Sequence, residues 1–295
     1  MIPAWLPFVA GIAGAPACEP RDAKAPPPLL EAVTFVKAPP RVGRVSLEET
    51  TTEFQLRTEA NADGGVFARV RTKSIEHERR REEILGVFDR IVIKKRMTYE
   101  VLERSEERNG LRSMAAPSPL SGRSYIIELK DSEPIFARAA GGEITDDERR
   151  ELSRRLGSFG RPDPFLEGLP NGPLRPGLPA SGMAPGFLEM FDAIGEANRD
   201  GPDVANVDVR FAGVREEPQG RCGVFAFAMK VQLAGEPRLF LDLTGEFLVR
   251  IADGLPVKLE ASGPARLIGI EIVEGVNLHL EGSGQMTSTL RITYL

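Results

Sequence analysis

The clearest pattern in this chain of 295 residues is an alternation of apolar and polar positions in its second half. The odd-numbered residues are apolar through 225–233, and nearly all of them are again in 239–251 and 255–261. Turn-forming residues separate these runs, Gly-Glu-Pro at 235–237 and Asp-Gly at 253–254. Alternation of this kind is typical of antiparallel strands with one buried face. It predicts a β-meander that continues to the end of the chain.

The first half shows the same alternation in shorter runs, at 54–56, 66–70, 91–101 and 125–129. The Gly-Ser-Gly at 282–284 lies between two alternating runs and is predicted to form a hairpin turn. We therefore predict a mainly β protein of the α+β class, a curved antiparallel meander with two helices in the middle of the chain.

One segment is similar in both halves. Residues 125–141 align without gaps on residues 247–263, and both segments are predicted to be strand, turn and strand. The identical pairs are Asp131 and Asp253, Pro134 and Pro256, Ala139 and Ala261, and Gly141 and Gly263. The alignment predicts an internal repeat of two related β units, with chance similarity as the alternative.

A surface helix is predicted after residue 144. Thr145 is a suitable N-cap, and Glu148 three residues later completes a capping box. Only Leu152, Leu156 and Phe159 form an apolar stripe, so one narrow side of this helix is expected to pack on the protein.

A second helix is predicted to begin at Pro185, after a connector. Residues 160–186 contain seven prolines and six glycines, a composition that disfavours both helix and inner strand. Phe187, Phe191 and Ile194 form the apolar face of the helix, which is expected to cover the concave side of the sheet. These three residues are the candidate wall of an apolar ligand site, with plain core packing as the alternative.

The N-terminal residues are predicted to direct export. No charged side chain occurs in residues 2–17, and polar residues follow at once, as in a secretory signal. Ala15-Pro16-Ala17-Cys18 resembles a bacterial lipobox, which would make Cys18 the lipidated residue, although Pro16 and the lack of a basic start depart from the usual pattern. A buried N-terminal segment with an ordinary cysteine is the alternative.

The chain is accordingly divided into five parts. Residues 1–18 are the leader, and the Pro-rich residues 19–43 are predicted to form a semi-rigid tether. Residues 44–159 are the first β unit with its surface helix. Residues 160–186 are the connector, and residues 187–295 are the second helix and the second meander unit.

Composition disfavours several classes of function. The 38 basic and 43 acidic residues are mixed along the chain, so nucleic acid is not an expected partner. Neither of the two histidines, His77 and His279, has a second ligand at metal spacing, and no catalytic motif is found. We therefore predict no enzyme activity, no catalytic residue, no metal and no cofactor. Cys222, if it does not pair with Cys18, is predicted to be a buried thiol.

Two further groups of polar residues have local explanations. The charged run Glu-His-Glu-Arg-Arg-Arg-Glu-Glu at 76–83 is interpreted as a solvated face, with a local anion-binding cluster as the alternative. Asp131 and Asp253 are interpreted as turn residues rather than as a pair of catalytic carboxylates.

The lipobox-like start, the Pro-rich tether, the curved sheet and the apolar helix together resemble exported bacterial lipoproteins of the LolA and LppX type. That resemblance implies a lipoprotein of the periplasm or outer membrane that binds a lipid or another apolar ligand and contacts the membrane through its lipid anchor. An envelope module for structure or protein interaction, without a ligand cavity, is the alternative function, and the cytoplasm is the alternative location. The sequence does not indicate an oligomeric state.

Overall fold

The computed structural model describes residues 29–62, 65–114, 118–156, 159–192, 203–233, 237–273 and 276–295. Cys18 with its lipobox-like sequence, the tether residues before residue 29, and Ile194 therefore lie outside the described residues.

One antiparallel sheet accounts for most of the described chain. The strands of the first half are β1 (Val45–Ala62), β2 (Gly65–Phe88), β3 (Ile91–Arg108), β4 (Leu111–Met114), β5 (Arg123–Lys130) and β6 (Glu133–Arg138). The helices are α1 (Asp146–Arg155), α2 (Pro164–Gly168) and α3 (Ala184–Asp192), with a 3-10 turn at Ser181–Met183. The strands of the second half are β7 (Asp203–Glu217), β8 (Gly220–Leu233), β9 (Arg238–Arg250), β10 (Pro256–Val273) and β11 (Val276–Tyr294). The predicted curved, mainly β meander is confirmed.

The first and last strands of the chain are neighbours near the middle of this sheet. The strand order is β6-β5-β3-β2-β1-β11-β10-β9-β8-β7, with β4 paired to β3. The first half therefore runs outward from β1 to the edge at β6, and the second half starts at the opposite edge and returns to the centre, where β11 pairs with β1. The helices lie in the connection between the two edges.

Alternation along the strands gives the sheet a core face and an outer face. Phe225, Phe227 and Met229 of β8 are buried, whereas Ala226 and Ala228 between them are exposed on the opposite face. Core residues of β9, β10 and β11 pair with one another across the strands, as Leu259 does with Leu290. The helices cover this face. A smaller buried cluster, which includes Cys222, Val224 and Leu248, lies on the opposite face of β8 and β9.

Glycines permit a close approach between neighbouring strands at two places in the sheet. A Cβ on Gly263 would lie 1.9 Å from the carbonyl oxygen of Asp242, and one on Gly284 would lie 1.8 Å from that of Gln55. Only glycine fits at such positions, which are typical of sharply coiled sheets. The prediction of a hairpin turn at residues 282–284 is wrong, because these residues lie within β11 and provide this close approach.

The two similar segments both form hairpins, but their registers differ. In the first hairpin Ile127 pairs with Phe136, and Asp131 and Ser132 form a two-residue turn with positive φ. In the second hairpin Leu248 pairs with Lys258, one position away from the register that the alignment implies. The second strands therefore turn different aligned positions toward the core, and an internal repeat stays a prediction.

Two parts of the chain are more ordered than their composition predicts. The connector contains helix α2, because Pro164 stands at a helix start where no N–H is needed and Asp163 caps the helix. Residues 29–38 are not a free tether, since Val33 and Phe35 are buried and the Val36 N–H bonds to Ile251 O at 3.0 Å. The predictions of a helix-free connector and of a tether reaching residue 43 are therefore wrong for these residues.

The core is divided into two main clusters on the same face. Helix α1 places Leu152 and Leu156 against residues of β3, β5 and β6, as predicted from its apolar stripe. Helices α2 and α3 and residues 33–35 cover β7 to β10. Between the two clusters the core face of β1 and β2 carries charged residues.

Candidate functional site: a charged cleft beside helix α1

A cleft of about 280 Å³ opens on the core face between β2, β3 and the chain from 155 to 164. Its charged lining residues are Arg80, Glu82, Lys95, Arg155, Arg161 and Asp163. Its apolar lining residues are Val92, Met97, Leu156, Phe159, Pro162 and Pro164. A concave site with apolar walls and a few polar groups is the usual form of a small-molecule binding site.

Strand β2 supplies the floor of the cleft through the charged run at residues 76–83. In an extended strand alternate residues face opposite sides, so Glu78, Arg80 and Glu82 share the core face, and His77 and Arg79 lie on the outer face. The side chain of Glu78 is only 8% exposed. The interpretation of this run as a solvated face is therefore wrong for its core-facing half.

Ion pairs hold most of the charged groups in place. Lys95 Nζ lies 2.8 Å from Glu82 Oε2, and Arg80 Nη2 lies 2.6 Å from Glu48 Oε2. Burial alone would raise the pKa of Glu82, but Lys95 and neighbouring arginines outweigh it and lower that pKa. Glu82 therefore stays ionised at neutral pH.

Helix α1 adds a further cation to the same network. Arg155 Nη1 donates to Glu78 Oε2 at 2.5 Å, and its Nε donates to Glu151 Oε1 at 2.7 Å. Burial acts to lower the pKa of Arg155, but the two carboxylates outweigh it and raise that pKa. The guanidinium lies over the ring of Tyr99, whose hydroxyl is buried and has no hydrogen-bond partner among the described groups.

Arg161 differs from the other cations of the cleft. It is exposed, and no carboxylate among the described residues lies within ion-pair distance of it. The backbone around it is well defined: Gly160 has φ of +85° and lies against Leu129, and Asp163 Oδ1 accepts the N–H groups of Phe165 and Leu166. Arg161 thus stands at the cleft with its charge available to an anion.

A second cluster of charges lies at the start of α1 and has a structural role. The carboxylate of Glu148 is fully buried and accepts hydrogen bonds from Arg123, Tyr125, Arg138 and Thr145. The capping box predicted from Thr145 and Glu148 is confirmed. The sequence did not indicate that the same carboxylate also binds β5 and β6, since their arginines are distant along the chain.

The residues predicted for ligand binding are only partly described. Phe187 is fully buried, with ring centroids 4.6 Å from Phe227 and 5.2 Å from Phe165. The side chain of Phe191 and all of Ile194 lie outside the described residues, as does Cys18. The ligand-binding role of Phe187, Phe191 and Ile194 and the lipidation of Cys18 therefore stay predictions.

The two turn aspartates, Cys222 and His279 lie away from the cleft. Asp131 lies in the β5–β6 turn, and Asp253 binds Arg250 at 2.6 Å, so they occupy separate hairpins as predicted. Cys222 is a buried free thiol whose pKa burial raises to about 12. His279 is exposed on the outer face, as predicted.

Within the described chain, no three His, Cys, Asp or Glu side chains converge as metal ligands. None of its helices is long and apolar enough to span a bilayer.

Comparisons with known proteins find distant structural similarity only. No protein-family model matches the chain, and no curated protein does. The chain is similar to lipovitellin, described for its lipid–protein interactions, with a TM-score of 0.36 and 8% identity over 86% of this chain. It spans 26% of the lipovitellin chain.

Two structures from Pseudomonas species show weaker similarity. An outer-membrane channel from Pseudomonas putida has a TM-score of 0.21 and 9% identity, covering 94% of this chain and all of that one. A FadL homologue from Pseudomonas aeruginosa has a TM-score of 0.21 and 7% identity, covering 84% of this chain and 90% of that one. The neighbours are thus lipid-binding or outer-membrane β proteins, and TM-scores this low carry no argument about function.

Proposed function

We propose that this protein binds an amphipathic ligand of the bacterial envelope, a lipid or lipid-like acid, with its anionic head in the cleft beside α1. The proposal includes export and anchoring through Cys18, as predicted from the leader. It treats the protein as a binding protein and not as an enzyme.

The observation that carries the proposal is the composition of the cleft. Four cations and two carboxylates line it together with six apolar or proline residues. Three of the cations already have carboxylate partners, which leaves the charge of Arg161 without one. A ligand that combines an acidic group with an apolar chain matches this surface better than a purely apolar ligand does.

The size of the cleft limits which part of the ligand it holds. About 280 Å³ is slightly below the range of roughly 300–1,000 Å³ that is usual for small-molecule sites. The cleft therefore suits a head group and the first part of a chain, not a whole lipid. The alternative location under α3 is less favourable, because Phe187 is fully buried against other aromatic rings.

The carboxylates of the cleft support binding over catalysis. Glu82 is ion-paired with Lys95, and Asp163 accepts two backbone N–H groups at the start of α2. A general base needs a carboxylate that can take up a proton near neutral pH, and the pKa of Glu82 is lowered. Burial raises the pKa of Asp163, but its Oδ1 is already engaged by the two N–H groups of α2.

Titration with a fluorescent fatty acid tests the proposal. The full chain carrying Cys18→Ala, which removes any acyl group, is titrated with cis-parinaric acid and with its uncharged methyl ester. We expect saturable binding of the acid, binding of the ester weaker by about tenfold, and a similar loss of acid binding in Arg161→Gln.

Arg149→Gln is the matched control, since Arg149 is an exposed arginine of α1 outside the cleft. Equal affinity for acid and ester, or equal affinity of the Arg161 and Arg149 variants, would contradict the proposal. Absence of any binding would favour the structural or protein-interaction module. Intact mass spectrometry of protein purified gently from its own host reports both the N-terminal modification and any retained ligand.

A further inference from the structure

A second surface, remote from the cleft along the strands, combines exposed apolar side chains with unpaired arginines. It lies where the end of β1 and the start of β2 adjoin the end of β10 and the start of β11, which we call the distal end of the sheet. Five exposed apolar residues of this end form the distal patch: Val66, Phe67, Ile268, Ile270 and Ile272.

On the outer face, the register places the isoleucines of β10 at one side of the distal patch and the residues of β2 at the other, with polar side chains of β11 and β1 between them. Ile270 pairs with His279, His279 with Asn61, and Asn61 with Val66, so a single row crosses four strands. Ile268 and Ile272 share the face of Ile270, because they are two residues away on β10. Phe67 and Ile272 are the most exposed, at 68% and 71%.

The exposure of this patch is unlike that of an ordinary strand surface. Elsewhere on β1 and β11 the outer face carries polar side chains such as Gln55, Gln285 and Thr287. Three isoleucines in succession on one outer face leave water in contact with a continuous apolar strip. Such strips on soluble surfaces mark contacts with another protein or with lipid.

A row of arginines lies directly behind the patch on the same face. Arg57, Arg71 and Arg266 form this arginine row: Arg57 pairs with Arg71 across β1 and β2, and Arg57 and Arg266 flank Ser283 of β11. All three are exposed, and no carboxylate among the described residues forms an ion pair with any of them.

Two arginines placed directly opposite each other repel, and no carboxylate of the described residues forms an ion pair with Arg57 or Arg71. The neighbouring row contains Glu59 and Glu281, but Glu59 is already paired with Arg69 at 2.8 Å. The arginine row and the neighbouring row together contain four arginines and two glutamates, so the surface behind the patch is positively charged.

The spacing of the two features matches the depth of a lipid head-group layer. Arg266, Ile268, Ile270 and Ile272 lie on one face of β10 at every second position. At about 3.3 Å per residue, Ile268 lies about 7 Å beyond Arg266 and Ile270 about 13 Å beyond it, so Ile268 is at the matching distance and Ile270 lies deeper. Surface-bound apolar side chains enter the bilayer by about 5–10 Å, while cations stay among the phosphates.

We propose that the distal patch and the arginine row form a docking surface for a bilayer that contains anionic lipids. The apolar side chains enter the outer part of the bilayer, and Arg57, Arg71 and Arg266 bind lipid phosphates. This surface acts independently of the cleft and of any acyl group on Cys18. Charge is what selects lipid over a second copy of the chain, since the excess of arginines matches lipid phosphates, whereas a second copy presents the same excess of positive charge on this surface.

Vesicle co-sedimentation tests this proposal. The full chain with Cys18→Ala is mixed with vesicles of phosphatidylcholine alone or with about 30% phosphatidylglycerol. We expect binding to the anionic vesicles that weakens as NaCl rises from about 0.05 to 0.5 M, and much weaker binding to phosphatidylcholine. The triple variant Arg57→Gln, Arg71→Gln, Arg266→Gln should lose affinity for anionic vesicles on the order of 100-fold.

The matched charge control replaces three exposed arginines outside this surface, Arg41→Gln, Arg90→Gln and Arg149→Gln. It should bind nearly as well as the parent. Equal losses in the two triple variants would show that only net charge matters and would overturn the docking surface. Binding that the Phe67→Ser, Ile272→Ser variant retains in full would overturn the role of the patch.

Fluorescence reports insertion directly. Trp5 is the only tryptophan, so Phe67→Trp in a Trp5→Phe background provides a single reporter in the patch. Its emission should shift to the blue and be quenched by brominated lipid, and Phe88→Trp at the other end of the sheet should show neither effect. Absence of vesicle binding, or a concentration-dependent dimer that Phe67→Ser, Ile272→Ser abolishes, would replace the bilayer with another partner and overturn the proposal.

Discussion

Glu148 of helix α1 accepts a hydrogen bond from Tyr125 of strand β5 at 2.5 Å, in a site where the carboxylate is fully buried. Arg138 of β6 binds the other oxygen of the same carboxylate at 2.6 Å. One side chain thus caps the helix and fastens it to the edge of the sheet. Because α1 also forms a wall of the proposed ligand cleft, the geometry of the cleft depends on this contact.

Glu148→Gln should lower the free energy of unfolding by about 2–3 kcal/mol, since an amide cannot satisfy two arginines, a phenol and a helix cap at once. Urea denaturation followed by circular dichroism measures the change. Asp147→Asn is the control, because Asp147 forms only an exposed pair with Arg150 and should change stability by less than about 0.5 kcal/mol. Equal effects of the two substitutions would contradict the assignment.

The same carboxylate predicts a dependence of stability on acid pH. Burial alone would raise the pKa of Glu148, but the hydrogen bonds from Arg138, Tyr125 and Thr145 outweigh it and hold that pKa well below the ordinary 4.5. A depressed folded-state pKa means that its contribution is complete above the unfolded-state value and is lost as the pH falls below it. The loss amounts to about 1.4 kcal/mol for each pH unit.

The stability difference between the parent and Glu148→Gln should therefore be largest at neutral pH and should narrow below about pH 4.5. Denaturation curves at several pH values between 7 and 3 measure it. A difference that stays constant over this range would show that Glu148 contributes through packing and not through its charge.

Phe187→Ala tests whether α3 is core or ligand wall. Phe187 is fully buried and packed against aromatic rings, so its truncation to alanine should lower the free energy of unfolding by about 3–5 kcal/mol. Phe88→Ala, at an exposed aromatic position, should have almost no effect. A Phe187→Ala variant of near-normal stability that loses fatty-acid binding would instead favour the ligand wall predicted for Phe187, Phe191 and Ile194.

Cys222 should be inert in the folded protein. Its thiol is buried, and burial raises its pKa to about 12, so almost no thiolate exists at pH 8. In the Cys18→Ala chain, iodoacetamide should leave Cys222 unmodified under native conditions and alkylate it in denaturant, as mass spectrometry would report. Rapid native alkylation would contradict its buried position.

Arg71→Glu should separate stability from docking. The substitution replaces a like-charge pair with Arg57 by an opposite-charge pair, which should raise stability by about 0.5–1 kcal/mol. Arg79→Glu on the same strand should do the reverse, because Arg79 stands opposite Glu49 and pairs with Glu100. If Arg71→Glu is more stable and still loses vesicle binding, the arginine row serves function at a cost to the fold. A destabilised Arg71→Glu would contradict the repulsion.

Local features of the sequence were sufficient to predict part of the secondary structure. Period-two alternation identified the strands of the second half, and Thr145 with Glu148 identified the start of α1, because both depend on neighbours within a few residues. They did not predict the role of Gly284, which depends on the carbonyl of Gln55 on a neighbouring strand. Nor did the proline content of the connector indicate α2, where Asp163 and Pro164 together begin a helix.

The sequence by itself thus determined the antiparallel meander and the positions of the two main helices. Only the tertiary structure decided that β1 pairs with β11, that half of the charged run at 76–83 turns inward, and that Arg57, Arg71 and Arg266 share one row. The physical reason is that alternation reports which side chains share a face within a strand, whereas strand order and register set the neighbours of that face. Both proposed binding surfaces are built from residues far apart in sequence that only this register brings together.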